Sequence, residues 1–309
     1  MIKDIPNSDE FDSAAKAQFE FAWDIVISFL ITIADAKDLI AADIDEADKT
    51  AFWEAAQQRV VTSLIIAQQG IELAIKAKIV AVSPFLLISG SHAEWPKDKN
   101  GDGISFSDFR SIDAQDLIRV HDAVHASSFK DSFVQLFEKL RKLRNKAMHT
   151  VDSKLSVSAE EVAATILEAH THLYPDEDWI ATRREFLYNA PSAHVFFDND
   201  HVDGLIAKEF LTVFELLTPA QVKQFFKIDK KQRLYICPEC NYEAKKYEYF
   251  DPKYAVLQPN TPESEYLFCF VCNSTHLISR IACKKDNCPG NVVSDEYGCC
   301  CTCGSDQLG

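Results

Sequence analysis

The sequence predicts a mainly α protein, in which an α-helical bundle is followed by a small β-hairpin domain of the zinc-ribbon type. Two observations indicate this fold class. Apolar residues recur every three or four positions through roughly the first 190 residues, and all ten cysteines follow residue 236. Because 47% of the 309 residues are hydrophobic, the chain can form packed cores. We predict a helical bundle over 1–190, a helical connector over 191–232 and a double zinc-ribbon domain over 233–309.

Two long amphipathic helices open the predicted bundle. The first extends from Phe11 to Ala42, and the second extends from Asp45 to Val82 with Pro84 beyond its end. Each has an apolar stripe at helical spacing. The stripe of the first helix includes Phe19, Trp23, Val26, Leu30 and Ile33, and that of the second includes Ala56, Val60, Leu64, Ala67, Ile71 and Ile75. Such stripes are typical of helices that pack against each other in a bundle.

Shorter helices complete the bundle and the connector. They are predicted at Asp113–His125, Ser128–Thr150, Ser158–Tyr174, Val202–Leu217 and Pro219–Lys227. The third of these begins with a capping box, because Ser158 is followed three residues later by Glu161, and it ends before Pro175. After Tyr235 the helical periodicity is lost, which indicates a different kind of structure around the cysteines.

Net charge and hydropathy limit the classes of function. The formal charge of −15 disfavours broad, nonspecific binding to duplex nucleic acid, which depends on neutralising phosphates. Local contacts stay possible at two basic segments, 129–149 and 223–235. The longest uninterrupted apolar stretches are too short to span a bilayer, and the acidic N-terminus lacks the features of a secretory signal. We therefore expect a cytoplasmic protein without a membrane segment.

The cysteines form two sets of four with the spacing of metal ligands. Reducing compartments favour metal binding by clustered cysteines over disulfides, and two CxxC turns can complete a tetrahedral zinc site. We therefore predict two structural zinc ions. The alternative is a group of redox or buried free cysteines, or one metal site with the other cysteines placed by coincidence. Cys301 competes with Cys300 as a ligand, His276 could substitute at either site, and Cys299 has no role. The predicted ligands are Cys237, Cys240, Cys269 and Cys272 for one ion, and Cys283, Cys288, Cys300 and Cys303 for the other.

A second cluster of reactive residues lies in LRKLRNKAMH, near the end of the predicted helix Ser128–Thr150. Asn145 and His149 are one helical turn apart, and Arg144 lies about 100° around the helix from Asn145. An arginine can bind phosphate oxygens with two hydrogen bonds, and a histidine can transfer protons near neutral pH. These residues therefore suit phosphodiester chemistry without a metal.

The segment resembles the motif of the HEPN superfamily, in which an arginine, a polar residue that is often asparagine and a later histidine share one helix of a helical bundle. Arg144, Asn145 and His149 match that motif, and the helix over 60–80 resembles the long HEPN helix beside it. The resemblance to HEPN ribonucleases implies that His149 is the general acid/base and that Arg144 stabilises the scissile phosphate. Asn145 would orient these groups. Arg141 and Lys142 would be auxiliary substrate contacts, and Glu72 a polar neighbour of the site.

The resemblance also implies a biological setting. HEPN ribonucleases usually form homodimers whose two motifs face one cleft, cut RNA without metal to leave a cyclic phosphate, and often act as toxins or in anti-phage defence. We therefore expect an RNA substrate, a homodimer and an antitoxin or regulatory partner. The alternative is a noncatalytic HEPN scaffold whose zinc-ribbon module binds nucleic acid or protein.

Overall fold

A computed structural model of the protein describes residues 1–40, 44–98, 101–149, 156–191, 200–247 and 252–307. The chain divides into two compact units, Met1–Pro175 and Asp176–Gly309. The sequence placed the first boundary at residue 190 instead. The difference arises from a helix at Trp179–Asn189, whose buried Arg183 forms a two-pronged ion pair with Glu209 in the second unit.

The first unit is a helical bundle. Its α-helices are α1 (Ser8–Ile40), α2 (Glu46–Val82), α3 (Ala114–Val124), α4 (Asp131–His149) and α5 (Ala159–Leu173). The two short strands β1 (Ile2–Lys3) and β2 (Ile104–Ser105) pair in parallel. The predicted capping box is confirmed, because the Ser158 hydroxyl accepts from the backbone N–H of Glu161 at 3.1 Å and the Glu161 carboxylate accepts from the Ser158 N–H at 3.2 Å.

The core of the bundle lies along α1 and α2, and both helices also contact α5. Phe19 and Trp23 of α1 and Ile71 and Ile75 of α2 are at most 1% exposed. The segment Ser8–Ala36 is long and apolar enough to cross a membrane by length and composition, although 39% of its most apolar window is buried inside the protein. The uninterrupted apolar stretches of the sequence do not reveal this length and apolar composition. The core helix of a bundle can share both with a membrane span.

The second unit combines short helices with a β-sheet. Its helices are α6 (Trp179–Asn189), α7 (Asp200–Leu216), α8 (Pro219–Phe226) and α9 (Pro238–Tyr247). The strands β3 (Ala255–Leu257), β4 (Tyr266–Cys269), β5 (Ser274–Ser279) and β6 (Val293–Ser294) form an antiparallel four-stranded sheet in sequence order. In this sheet Leu267 is paired with His276, and Ile278 is paired with Ser294. The predicted mainly α fold with a small C-terminal sheet is thus confirmed.

Candidate functional sites

The first cysteine cluster joins the start of α9 to the turn between β4 and β5. Cys237 precedes α9 and Cys240 lies in its first turn, while Cys269 ends β4 and Cys272 lies in the following turn. The Sγ atoms of Cys237 and Cys272 are 3.6 Å apart, and those of Cys240 and Cys269 are 3.8 Å apart. The four sulfur atoms all lie within 4.8 Å of one another. The first predicted ligand set is therefore assembled in one place.

The second cluster joins the loop between β5 and β6 to the chain after β6. The Sγ atoms of Cys283 and Cys303 are 3.8 Å apart, and those of Cys288 and Cys300 are 4.0 Å apart. Gly304 has a φ of 70° and donates its N–H to the Cys300 carbonyl at 2.7 Å. A positive φ suits glycine, so this residue lets the chain turn back at the last ligand.

The sulfur geometry fits a tetrahedral metal ion. Bonds of about 2.3 Å from zinc to four thiolates place the sulfur atoms about 3.8 Å apart. Backbone N–H groups of Cys240, Lys285, Gly290 and Thr302 each donate to a ligand sulfur at 3.4 Å. Such bonds spread the negative charge of the thiolates. All ten cysteines are free, so none of them forms a disulfide in this structure.

The thiols of each cluster influence one another's protonation. A hydrogen bond with Cys237, further bonds with Cys269 and Cys272, and burial raise the pKa of Cys240. Interactions with the side chains of Cys237, Cys240 and Cys269 lower the pKa of Cys272. Negative charge on one thiol therefore disfavours charge on its neighbours, and a bound divalent metal would compensate that charge. In the second cluster, burial raises the pKa of Cys300 to about 12.

His276 is an additional polar residue at the first cluster. Its Nε2 lies 3.4 Å from the Cys237 Sγ, 3.9 Å from the Cys272 Sγ and 3.7 Å from a Glu239 carboxylate oxygen. The side chain is only 5% exposed because it points to the buried face of β5. The sequence could not assign this histidine to a site, and the structure brings it to the first cluster. There an imidazole N–H can donate to a metal-bound thiolate, or the ring can replace a ligand.

The cysteines outside the two sets are buried. Cys301 lies at the competing position for the second cluster, but its Sγ donates to the Cys299 carbonyl at 3.9 Å, and the cluster contains Cys300 instead. The Cys299 side chain and burial raise the pKa of Cys301. Gly290 is a constraint that the sequence did not reveal: an added Cβ would lie 2.9 Å from the Cys300 Sγ and 2.7 Å from the Thr302 side chain. Only glycine leaves room for that ligand.

The arginine of the motif continues the buried stripe of α4. Phe133, Phe137 and Leu140 are at most 1% exposed, and Arg144 follows one turn later, half-buried. Its Nη1 donates to the Asn145 Oδ1 at 3.2 Å, so the amide fixes the orientation of the guanidinium. His149 is the last residue of α4, and its side chain lies outside the part of the chain that the structure describes.

Arg144 lines a cavity of about 200 Å³ between α4 and α2. Glu72 and Lys76 face the same cavity, as predicted for Glu72 from the resemblance. The Glu72 carboxylate accepts a short hydrogen bond from Gln68, whose side chain is almost fully buried. The remaining lining residues are Ile65, Gln69 and Leu73. A carboxylate and two cations thus surround a small polar space beside the motif.

The two predicted auxiliary contacts differ in their placement. Arg141 donates to Glu138 at 2.8 Å, and this bond raises the pKa of Arg141 with a further attraction from Glu72. Arg141 therefore lies within the electrostatic field of the cavity residues. Lys142 is exposed and is absent from the lining of the cavity.

The arrangement therefore joins parts of the chain that are distant in sequence. The sequence did not predict Gln68 and Lys76 as site residues, because both are polar residues that alternate with the core residues of an amphipathic helix. No protein-family model, curated protein or solved structure matches the chain. The two cysteine clusters and the cavity at Arg144 are the features from which a function can be inferred.

Proposed function

We propose that this protein is a metal-independent endoribonuclease of the HEPN type, acting as a homodimer in the cytoplasm in a toxin or anti-phage defence system. The observation that supports this function best is the cavity at the end of the motif helix. It combines Arg144, held by Asn145, with Lys76 and Glu72 of the neighbouring helix. Two cations on a chain with a charge of −15 mark a local site for an anion.

The proposed reaction uses the 2′-hydroxyl of RNA as the nucleophile. His149 accepts the proton of that hydroxyl, the 2′-oxygen bonds to phosphorus, and the bond from phosphorus to the 5′-oxygen breaks. Arg144 stabilises the negative charge on the phosphoryl oxygens, and a proton returned to the 5′-oxygen completes the step. The products are a 2′,3′-cyclic phosphate and a 5′-hydroxyl, so neither water nor an oxidant is consumed. In the homodimer, two motifs would face one cleft.

We further propose that the two cysteine clusters bind zinc. Tetrahedral sites of four thiolates are closed to water, so these ions would hold the second unit together and would not take part in catalysis. This part of the chain would then select the RNA or bind an antitoxin or another regulatory partner.

Cleavage by purified protein tests the nuclease. The wild-type chain is expected to cut RNA in buffer without added divalent cations and to leave cyclic phosphate ends, detected by mass spectrometry. Arg144→Ala and His149→Ala should each lower the rate at least about 100-fold, consistent with the loss of acid–base catalysis or charge stabilisation. Lys97→Ala, an exposed substitution outside both basic segments, is the control. Cleavage that survives His149→Ala would remove the assignment.

A noncatalytic binding protein is the second candidate, and the sheet of the second unit gives it support. Tyr266 and Leu277 are paired across β4 and β5 and are 49% and 51% exposed. An exposed aromatic and aliphatic pair can stack on bases or pack against a protein. Expression of the wild-type gene separates the two functions: a nuclease is toxic in a manner that His149→Ala relieves, whereas a scaffold produces the same growth with either chain.

A further inference from the structure

We propose that the cavity beside Arg144 is a nucleotide subsite, in which Lys76 contacts a backbone phosphate and Gln69 contacts the edge of one base of a bound RNA strand. The inference rests on the proposed function, because it deepens the assignment of RNA as the substrate. It adds two residues of α2 to a site for which the sequence indicated residues of α4 and, on α2, only Glu72.

The polar groups of Lys76 and Gln69 are available for a ligand. Within the described residues, neither side chain makes a hydrogen bond or an ion pair with the protein, although Lys76 is half-buried in the cavity wall. The Gln68 side chain, by contrast, donates a hydrogen bond to the Glu72 carboxylate. The free ammonium and amide thus supply a cation for phosphate and a paired donor and acceptor for a base edge.

The dimensions and the lining favour a single nucleotide of a strand. The volume of about 200 Å³ is below the range of roughly 300–1,000 Å³ of pockets for drug-sized ligands. Ile65 and Leu73 provide apolar surface on which the face of a base can rest. Because Lys76 and Arg144 outnumber Glu72, the cavity attracts an anion. The position of Arg144 in the same wall places this nucleotide next to the proposed scissile phosphate.

Binding of uncleavable RNA tests the subsite separately from catalysis. Fluorescence anisotropy is measured with the full-length protein and labelled octamers of 2′-O-methyl RNA, with each of the four bases, over a range of salt concentrations. Lys76→Ala should weaken binding about 10-fold and lower the slope of log K against log salt by about 0.7, the effect of one phosphate contact on a single strand. Lys97→Ala, at an exposed position outside both basic segments, should change neither quantity by more than about 2-fold, since an exposed charge outside the binding site contributes little.

The second substitution tests base recognition. Gln69→Ala should reduce the difference in affinity between the best and the worst octamer about 5-fold while leaving the salt slope unchanged, because an amide on a base edge discriminates between bases without neutralising charge. Equal weakening by Lys76→Ala and Lys97→Ala would indicate a general charge effect and overturn the subsite. The absence of RNA binding by the wild-type chain, or equal affinity for AMP and the octamers, would also overturn it.

The two proposals fail in different ways. If the octamers bind with the expected dependence on Lys76 and Gln69 but unmodified RNA is not cut, the subsite stands and the nuclease does not. If RNA is cut in a manner that requires His149, yet both α2 substitutions leave binding unchanged, the nuclease stands and the subsite is wrong.

Discussion

His276 shows how a single residue outside a ligand set can determine the properties of a metal site. Its imidazole lies within 3.9 Å of two thiols of the first cluster. Histidines and carboxylates that contact ligands commonly orient them and spread their charge. Glu239, 3.7 Å from the ring, can in turn hold the imidazole.

Replacement of this histidine should weaken one zinc site and not the other. We expect His276→Ala to lower the zinc affinity of the first cluster about 10–100-fold, the usual effect of losing a residue that supports the ligands. Competition with a coloured chelator measures the zinc affinities of the two sites one after the other. Thr275→Ala, on the exposed side of the same strand, should leave both affinities unchanged. Equal affinities for His276→Ala and the wild type would contradict a supporting role.

A buried histidine of α5 makes stability depend on pH. Burial, with a smaller effect of Lys16, lowers the pKa of His170 from its ordinary value of 6.5 to about 4. The unfolded chain therefore binds this proton at a higher pH than the folded chain, and stability is lost as pH falls from 6.5 towards 4. Between pH 7 and pH 5 the loss from this residue is about 2 kcal/mol.

Urea unfolding followed by circular dichroism checks this dependence. His170→Gln should reduce the loss of unfolding free energy between pH 7 and pH 5, whereas His92→Gln at an exposed position should not. Some dependence will persist, since burial also lowers the pKa values of His121 and His172. The same loss in His170→Gln as in the wild type would show that His170 is not the source.

At the scale of elements, the close approach of α1 and α2 depends on a glycine. A Cβ at Gly70 would lie 3.2 Å from the Ala15 carbonyl oxygen, 3.2 Å from the Gln18 Cβ and 3.3 Å from the Phe19 ring. Two of these neighbours are fixed by the helix backbone and cannot move aside easily. Larger side chains must therefore push the two helices apart.

Gly70→Val should destabilise the bundle by about 1–3 kcal/mol through overpacking. Chemical denaturation monitors the change in unfolding free energy. Gln58→Ala, at an exposed position of α2, should change it by less than about 0.5 kcal/mol. Unaltered stability of Gly70→Val would mean that α1 and α2 can separate without cost.

The elements of the bundle could be predicted because their signals are local. Helical periodicity and capping residues placed α2 and α5 within one residue at each end. The sequence did not predict α6 or α9, which are only 11 and 10 residues long. The spacing of Cys237 and Cys240 predicted a metal-binding turn and not a helix. The segment PECNYEAKKY of α9 is also polar and lacks a clear apolar stripe. The first turn of α9 instead contains Cys240, whose thiol lies beside thiols that are distant in sequence.

For the whole molecule, the two kinds of site differ in how far sequence determines them. Both cysteine sets could be predicted from spacing, because cysteines separated by two to four residues can bring their thiols to one ion when the chain between them turns. The cavity at Arg144 depends on the packing of α2 on α4, which are more than 40 residues apart. No local pattern could show that Lys76 and Arg144 line one space. The resemblance indicated Glu72 as a neighbour, but not Gln68 or Gln69.

Each unit has its own buried core, so metal removal should affect them unequally. Metal binding should add to the folding free energy of the sheet β3–β6, which also comes from buried apolar residues such as Val256, Leu267 and Ile278. Elemental analysis of the purified chain should find two zinc ions, and Cys283→Ser with Cys288→Ser should leave one. After excess chelator, hydrogen exchange should lose protection over 255–294 but keep it over 8–173. Equal loss in both ranges would show that the bundle also depends on the metals for its stability.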